Sequence, residues 1–223
     1  MEIIDFGISS YRTIWEKQKS LQEKLVGLKK DKYPINDEVV MIGEHSPVYT
    51  LGFHGDAANL LIDENSLKSK GCECIRIERG GDITFHGPGQ LILYPIIDLE
   101  KRGLGVKKYI NILEESVIRV LNDYGIKGER VEGATGVWID SATPHERKIC
   151  AIGVKISRSI TMHGLALNVN TDLSWFSAIN PCGFIDKGVT SIRKEIGIEV
   201  DMNEVKDKIL NIFLSMIDCV KEE

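Results

Sequence analysis

The sequence lacks the features by which membrane, secreted and nucleic-acid-binding proteins are usually recognised. Its longest apolar runs, such as Leu91 to Ile97, fall far short of the roughly 20 residues that span a bilayer. Residues Met1 to Asp5 contain neither a basic nor an apolar segment, so we expect no secretory signal. The formal net charge of -5 disfavours sequence-independent binding to nucleic acid, which requires a basic surface.

Common metal and nucleotide motifs are also missing. There is no Cys-x-x-Cys pair, helical His-x-x-x-His pair, P-loop or Gly-x-Gly-x-x-Gly fingerprint, so we expect neither a metal nor a nucleotide cofactor. The five cysteines of a chain without a signal indicate free thiols in a reducing compartment, which predicts a cytoplasmic protein.

The apolar periodicity predicts one α+β domain over residues 1–223, with a mixed or largely antiparallel sheet flanked by helices. Helices are expected after Ser10, over Tyr109 to Tyr124, and from Asp201 onward. No repeat, low-complexity tract or linker suggests a domain boundary. The segments Gly136 to Ile139, Lys148 to Ile156 and Ile160 to Val169 are typical of an antiparallel meander.

The segment from Arg79 to Gln90 is the most unusual part of the chain. It contains four glycines and one proline in twelve positions, between two strand-like runs. Glycine permits unusual backbone dihedral angles and close backbone contact, at a cost in conformational entropy. The composition therefore indicates a place where the backbone approaches a ligand.

Cys182 is the candidate nucleophile. In Asn180-Pro181-Cys182-Gly183, the proline fixes the preceding backbone and the glycine permits an irregular turn. A cysteine in such a loop can reach a substrate and attacks as the thiolate, which needs a neighbouring base or cation at neutral pH. Taken alone, however, a cysteine in a turn is more often structural.

Other polar residues are ambiguous when each is taken alone. Lys148 has the character of an exposed lysine at a strand end. The two-residue period of a strand puts Cys150 on the same face, which makes it a rival nucleophile, although packing as a small hydrophobic residue is favoured. The pair His163-Gly164 repeats His86-Gly87, and both are interpreted as His-Gly turns.

Together these segments resemble the octanoyl-[acyl-carrier-protein]:protein N-octanoyltransferase family, the lipoate-biosynthesis branch of the biotin/lipoate ligase superfamily. The matching blocks extend over about half the chain in the family's order, which is more specific than any single motif. The blocks are Arg79 to Gln90 followed by Tyr94-Pro95, then Lys148 to Gly153, His163 to Val169, and Asn180 to Gly183.

The resemblance implies a biotin/lipoate protein ligase-like fold in which helices surround a sheet and an acyl pocket lies under the glycine-rich segment. It implies that Cys182 forms an acyl-thioester intermediate and that Lys148 lowers the pKa of this thiol and shuttles protons. His163 and His86 would orient substrate or backbone. The residues implied to line the substrate site are Arg79, Gly80, Gly81, Asp82, Ile83, Thr84, Phe85, His86, Ala151, Ile152, Gly153, Gly164, Leu165 and Ala166.

The reaction implied by the resemblance moves an octanoyl group from octanoyl-acyl-carrier protein to the ε-amine of a lysine. The acceptors would be lipoyl domains of 2-oxo acid dehydrogenase E2 subunits and the glycine cleavage H protein. A thioester is already activated, so no ATP is needed. Backbone N–H groups around Gly80, Gly81 and Gly183 are hypothetical donors to the oxyanion. An acidic carrier predicts a basic surface, with candidates Arg102, Lys107, Lys108, Lys155 and Arg158.

Two alternatives stay open at this point. An ATP-dependent lipoate or biotin ligase on the same fold would activate a free acid as its adenylate and would not need Cys182. A non-catalytic module that binds acyl groups or lipoyl domains would need neither Cys182 nor Lys148.

Overall fold

The computed structural model describes residues 1–53, 55–180 and 188–219, and in these ranges eleven strands form two sheets. An eight-stranded, mostly antiparallel sheet has the order β1-β2-β6-β10-β9-β8-β7, with β11 added beside β9, and a smaller sheet has the order β4-β3-β5. The strands are β1 (Glu2–Ser9), β2 (Val39–His45), β3 (Val48–Leu51), β4 (Glu73–Arg76), β5 (Ile83–His86), β6 (Gln90–Ile96), β7 (Glu129–Val131), β8 (Ala134–Ile139), β9 (Arg147–Ser157), β10 (Ile160–Asn168) and β11 (Gly188–Val189).

Helices cover both faces of the large sheet. One face packs against the third and fifth helices through the largest apolar cluster, and the other packs against the first helix. This arrangement confirms the predicted α+β class with a largely antiparallel sheet. The helices are α1 (Tyr11–Lys30), α2 (Glu64–Ser69), α3 (Val106–Asp123), α4 (Ile192–Ile196) and α5 (Met202–Cys219). None of the helices in the described ranges combines the length and hydropathy of a transmembrane segment.

Local signals at the ends of the long helices are confirmed in most details. The Ser10 side chain accepts the Thr13 N–H at the start of α1, and Gly125 follows α3 with a φ of 69°, as helix termination by glycine requires. At the start of α5, Asp201 accepts the Asn203 N–H. Glu204, three residues after Asp201, has the position of a capping-box glutamate, but its carboxylate binds Lys208 instead.

Two regions contain more regular structure than the sequence suggested. The stretch from Gly55 to Lys70 is rich in Asn, Asp and Lys, which are typical of irregular loops, yet it contains α2 and a short 3-10 helix, Ala57–Asn59. The glycine-rich segment contains β5, which pairs with β3. Its partner lies more than 30 residues earlier, so local composition conceals the strand.

Regular pairing between β6 and β10 breaks where Pro95 faces His163. Leu93 pairs with Leu165, and extending this register by two residues puts His163 opposite Pro95. Proline has no N–H to donate to a neighbouring strand, and the His163 N–H turns away to the Gln18 Oε1 atom at 2.9 Å. His163 therefore has a φ of 61° inside a strand. The predicted His-Gly turn is thus wrong at His163, which lies inside β10. At the other pair His86 is the last residue of β5, and the chain turns directly after it, where the Gln90 N–H donates to the Gly87 carbonyl at 3.1 Å.

Gly164 is required for the close packing of β10 on β6. A Cβ atom at this position would lie 2.1 Å from the Leu93 carbonyl oxygen, which belongs to the backbone and cannot easily move. We expect Gly164→Ala to lower the free energy of unfolding by about 1–3 kcal/mol or more. Urea denaturation measures this change.

The matched control is Gly27→Ala in the interior of α1, where an added Cβ meets no atom within 4 Å. This variant should be stabilised by about 0.5–1 kcal/mol, because alanine loses less backbone entropy in a helix. Equal stability changes in the two variants would contradict the steric explanation.

Candidate functional site

A cavity of about 450 Å³ lies between the glycine-rich segment and strands β9 and β10. This volume is within the usual range of about 300–1,000 Å³ for small-molecule sites. Lys148, His163 and all but one of the residues implied as substrate-binding line it: Arg79, Gly80, Gly81, Asp82, Ile83, Thr84, His86, Ala151, Ile152, Gly153, Gly164, Leu165 and Ala166. The exception is Phe85, whose ring packs against Trp175 in a separate apolar cluster.

Glycines let the backbone of this segment lie directly against its neighbours. The Gly80 N–H donates to the Val154 carbonyl at 3.2 Å. A Cβ at Gly153 would lie 3.0 Å from the Gly80 oxygen, and one at Gly52 would lie 2.3 Å from the Gly81 oxygen. Because its N–H is already donated to Val154, Gly80 is a poor candidate for the oxyanion donor that the sequence suggested.

Arg79 holds the segment in place from beneath. The side chain is buried, and its Nη2 atom donates to the Thr50 carbonyl at 2.7 Å and to the Thr50 Oγ1 atom at 2.9 Å. Its Nη1 atom donates to the Gly80 carbonyl at 2.9 Å. Hydrogen bonds from a charged donor are stronger than neutral ones. Thr50 therefore belongs to the site, and sequence reasoning missed it because the residue has no distinctive neighbours.

A buried polar chain continues from Thr50 across the sheet. The His86 Nδ1 atom is 2.7 Å from Gln90 Oε1, and His86 Nε2 is 3.3 Å from Thr50 Oγ1. The Gln90 amide donates to Asn168 Oδ1 at 2.9 Å, and the Asn168 amide donates to the Thr190 carbonyl at 3.0 Å. The Gln90 oxygen can only accept, so the His86 Nδ1 atom carries a proton.

Three buried histidines lie in or near this series of hydrogen bonds: His45, His86 and His163. Burial is the main reason that the pKa of His45 falls to about 4 and that of His163 to about 3. Burial also holds the pKa of His86 well below its usual range, with smaller contributions from His45 and Arg79. Tyr11 on α1 stacks on His86 with ring centroids 5.9 Å apart. Tyr11 also lines the cavity, and nothing but its helical position marks it in the sequence.

Lys148 enters the cavity because β9 contains a bulge. Val137 pairs with Cys150 and Trp138 with Lys148, so Ile149 is an extra residue on β9. The Lys148 Nζ atom lies 4.4 Å from the centre of the Trp138 ring and 3.3 Å from the Thr135 carbonyl oxygen. Trp138 lines the same cavity, and it is the third residue, after Thr50 and Tyr11, that sequence reasoning missed.

The bulge also separates Lys148 from Cys150, contrary to the prediction that they share a face. Cys150 and Ile149 both belong to the largest apolar cluster, and neither is exposed. Burial raises the pKa of the Cys150 thiol above its usual range. A fully buried thiol of this kind is a poor nucleophile, which confirms that Cys150 packs as a small hydrophobic residue.

Cys182 and Gly183 lie outside the described residues. The last described residue before them is Asn180, whose N–H donates to the Asn59 carbonyl at 2.9 Å. The first described residues after them are Gly188 and Val189, which both line the cavity. Val189 pairs with Lys148 in a parallel ladder. In the part of the chain that the structure describes, no three His, Cys, Asp or Glu side chains are grouped to hold a metal ion.

The neutral histidines predict that the fold loses stability as the pH falls from about 6.5 towards 4. In the unfolded chain each histidine binds a proton below its ordinary pKa of about 6.5, whereas His45, His86 and His163 stay unprotonated in the folded state to lower pH. The free energy of unfolding should therefore fall by up to about 1.4 kcal/mol per pH unit for each histidine.

Urea titrations across this pH range measure the effect. His45→Asn should reduce the slope, whereas the same change at the exposed His145 serves as the matched control. A free energy of unfolding that is constant from about pH 7 to pH 5 would contradict the assignment of neutral buried imidazoles.

The chain is similar in sequence and in fold to known proteins. The family described as the lipoyl protein ligase A/B catalytic domain matches residues 11–214. The octanoyltransferase of Bacteroides thetaiotaomicron is 51% identical over 207 residues, which cover 93% of this chain and 91% of that relative.

Two solved structures confirm the predicted ligase-like fold. The bi-partite lipoate protein ligase of Thermoplasma acidophilum gives a TM-score of 0.68 at 18% identity, with 98% of this chain and 84% of that chain covered. The biotin protein ligase of Aquifex aeolicus gives 0.56 at 14% identity, covering 100% and 72%.

Proposed function

Since the chain belongs to the lipoyl protein ligase A/B catalytic domain family and, within it, to the octanoyltransferases, we propose that it transfers octanoyl groups onto protein lysines. The donor is octanoyl-acyl-carrier protein. The acceptor is the ε-amine of a lysine in the lipoyl domains of 2-oxo acid dehydrogenase E2 subunits and the glycine cleavage H protein. The observation that carries the proposal is the position of Lys148 in the cavity wall, beside Val189, which follows Cys182 by seven residues.

The first half-reaction is thioester exchange. The Cys182 thiolate attacks the octanoyl carbonyl, and the bond from carbon to the carrier sulfur breaks. The carrier leaves as its thiol after taking the proton of the Lys148 ammonium group, which leaves Lys148 neutral for the second half-reaction. Bond energies change little because one thioester replaces another, so the reaction needs neither ATP nor a cofactor. The positive charge of Lys148 favours the thiolate form of Cys182.

The second half-reaction forms the amide. The acceptor amine attacks the Cys182 thioester, the carbon–nitrogen bond forms, and the carbon–sulfur bond breaks to return the thiolate. Lys148 removes the proton that the amine must lose, which is general-base catalysis. Gly81 is the remaining glycine of the segment whose N–H we propose as a donor to the oxyanion, together with Gly183.

An acidic carrier protein would bind a basic part of the surface. Arg102 does not belong to it, because its side chain is only 3% exposed and pairs with Glu38 at 2.6 Å. The four remaining candidates are at least partly exposed: Lys107, Lys108, Lys155 and Arg158. The free thiols Cys72 and Cys150 agree with the proposal that the protein works in the reducing cytoplasm.

Trapping of the acyl-enzyme tests the nucleophile, the donor and the reaction type together. Incubation with octanoyl-carrier protein, without ATP, should add the mass of one octanoyl group to the protein, and hydroxylamine should remove it. Cys182→Ala should abolish both the added mass and the transfer. The control Cys74→Ser replaces a half-buried thiol outside the cavity and should keep both. Transfer that survives Cys182→Ala and requires ATP would indicate a ligase, and binding without transfer would indicate a non-catalytic module.

Lys148→Arg tests the proton transfer. Arginine keeps the positive charge but cannot lose a proton near neutral pH, so transfer to the acceptor lysine should fall by about 10²–10⁴-fold. Lys19→Arg is a matched control, because Lys19 also lies over a tryptophan ring, 4.1 Å from the centre of Trp15. Single-turnover transfer from the isolated acyl-enzyme is the measurement, and an unchanged rate in Lys148→Arg would exclude the general-base role.

A further inference from the structure

The cavity has a polar end far from Lys148. On β9, Lys148 lies six residues before Val154, which pairs with His163 on β10. Six residues of strand extend over about 20 Å. The space between the two side chains is shorter than this, because both side chains extend into the cavity. Lys148 and His163 both line the cavity, so they stand at its two ends.

His163 is the buried polar residue at this end of the cavity. It is 1% exposed, and its ring lies edge-on to Tyr94 with centroids 6.0 Å apart. Neither Nδ1 nor Nε2 of its ring has a hydrogen-bond partner among the described residues, and the same is true of the buried Gln18 Nε2 atom. Gln18 is the residue whose oxygen accepts the His163 N–H. The two ring nitrogens and the Gln18 Nε2 atom are thus three buried polar atoms without a hydrogen-bond partner in the described part of the chain.

The backbone conformation at His163 determines on which side of the sheet its ring lies. Leu165 and Leu167 of β10 pack into the cluster beneath α3, whereas the His163 ring contacts Tyr94, which belongs to the cluster beneath α1. The left-handed φ of 61° accompanies this change of side. Such a conformation is costly for a residue other than glycine and persists only where the surroundings impose it.

We propose that His163, with Gln18 behind it, sets the upper limit on the length of the acyl chain that the cavity accepts. The inference rests on the proposed octanoyl transfer, with the thioester beside Lys148 and the methyl end directed towards His163. A chain long enough to reach the imidazole would press hydrocarbon against the ring nitrogens, which have no partner in the described part of the protein, and would keep water from binding them. Burying unsatisfied polar groups is costly, and the penalty corresponds to about tenfold or more in kcat/KM.

The chemistry of the ring makes the limit selective. Burial, with smaller contributions from Arg79 and Lys155, lowers the pKa of His163 to about 3. At neutral pH the ring is therefore uncharged and offers one donor and one acceptor. A hydroxyl group at the end of a long chain can satisfy these atoms, whereas a methyl group cannot.

Competition between acyl donors tests the inference. Carrier proteins loaded with chains of 8, 10, 12 and 14 carbons, ending in methyl or in hydroxyl, compete for transfer to one lipoyl domain. In the unaltered protein the kcat/KM of methyl-ended chains should drop at one length, and the hydroxyl-ended chain of that length should recover at least about tenfold.

Variants of His163 separate specificity from structure. His163→Gly, which suits a positive φ, and His163→Leu should raise the ratio of long to octanoyl methyl-ended transfer by about tenfold and abolish the preference for hydroxyl. His163→Asn keeps polar groups and tolerates the left-handed region, so it should keep the original ratio. Each ratio is taken within one variant, and thermal melting verifies that the variant is folded.

The outcomes distinguish the two proposals. If octanoyl transfer persists and folded His163→Gly gives the same length profile as the unaltered protein, the role of His163 is wrong and the proposed function stands. The same conclusion follows if hydroxyl-ended and methyl-ended chains are transferred equally at every length. If no loaded carrier acts as a donor, the proposed function is wrong. The inference about His163 is then wrong as well, because it rests on that function.

Discussion

The site depends on direct contact between two stretches of backbone, the Gly80–Gly81 segment and the part of β9 around Val154. The hydrogen bond from Gly80 to Val154 joins them, and Gly153 leaves no side chain between them. In the same way Gly52, which follows β3, lets the backbone there lie against Gly81. With any larger residue at these positions the two stretches would have to separate, because the nearest atoms belong to the backbone. The contact forms one wall of the cavity and brings Arg79 beneath it.

The buried polar chain follows from this contact. Arg79 places a charge in the interior, where water cannot solvate it, and Thr50 and the Gly80 carbonyl accept its hydrogen bonds. Beyond Thr50, the bonds through His86 and Gln90 to Asn168 join the small sheet to β6 and β10. Such networks are costly when partly satisfied and rigid when complete. The same desolvation keeps the nearby imidazoles neutral.

Two irregularities in the large sheet direct side chains into the cavity. The bulge at Ile149 turns Lys148 towards it and leaves Cys150 in the core. On the neighbouring strand, the break opposite Pro95 turns His163 towards the face that packs on α1. In both places the two-residue period of a strand fails, and in both places a polar residue lines the cavity. Departures from regular structure of this kind are concentrated at functional sites.

The sequence determined the long helices, the β8-β9-β10 meander and the unusual character of the glycine-rich segment. These features follow from periodicity, capping residues and glycine content, which act over a few neighbouring residues. It also identified Lys148, Arg79 and His163 through their place in family motifs. Motif order, however, contains no information about which face of a strand a residue occupies.

Only the tertiary structure decided which of these residues meet. Thr50, Tyr11 and Trp138 line or support the cavity without any local signal, because their roles come from partners distant in the chain. The separation of Lys148 from Cys150 and the reversal at His163 depend on pairing register between strands. Register is fixed by packing of the whole sheet, so a period counted along one strand could not predict either. The sequence determined which elements form, and contacts between distant segments decided which side chains share the cavity.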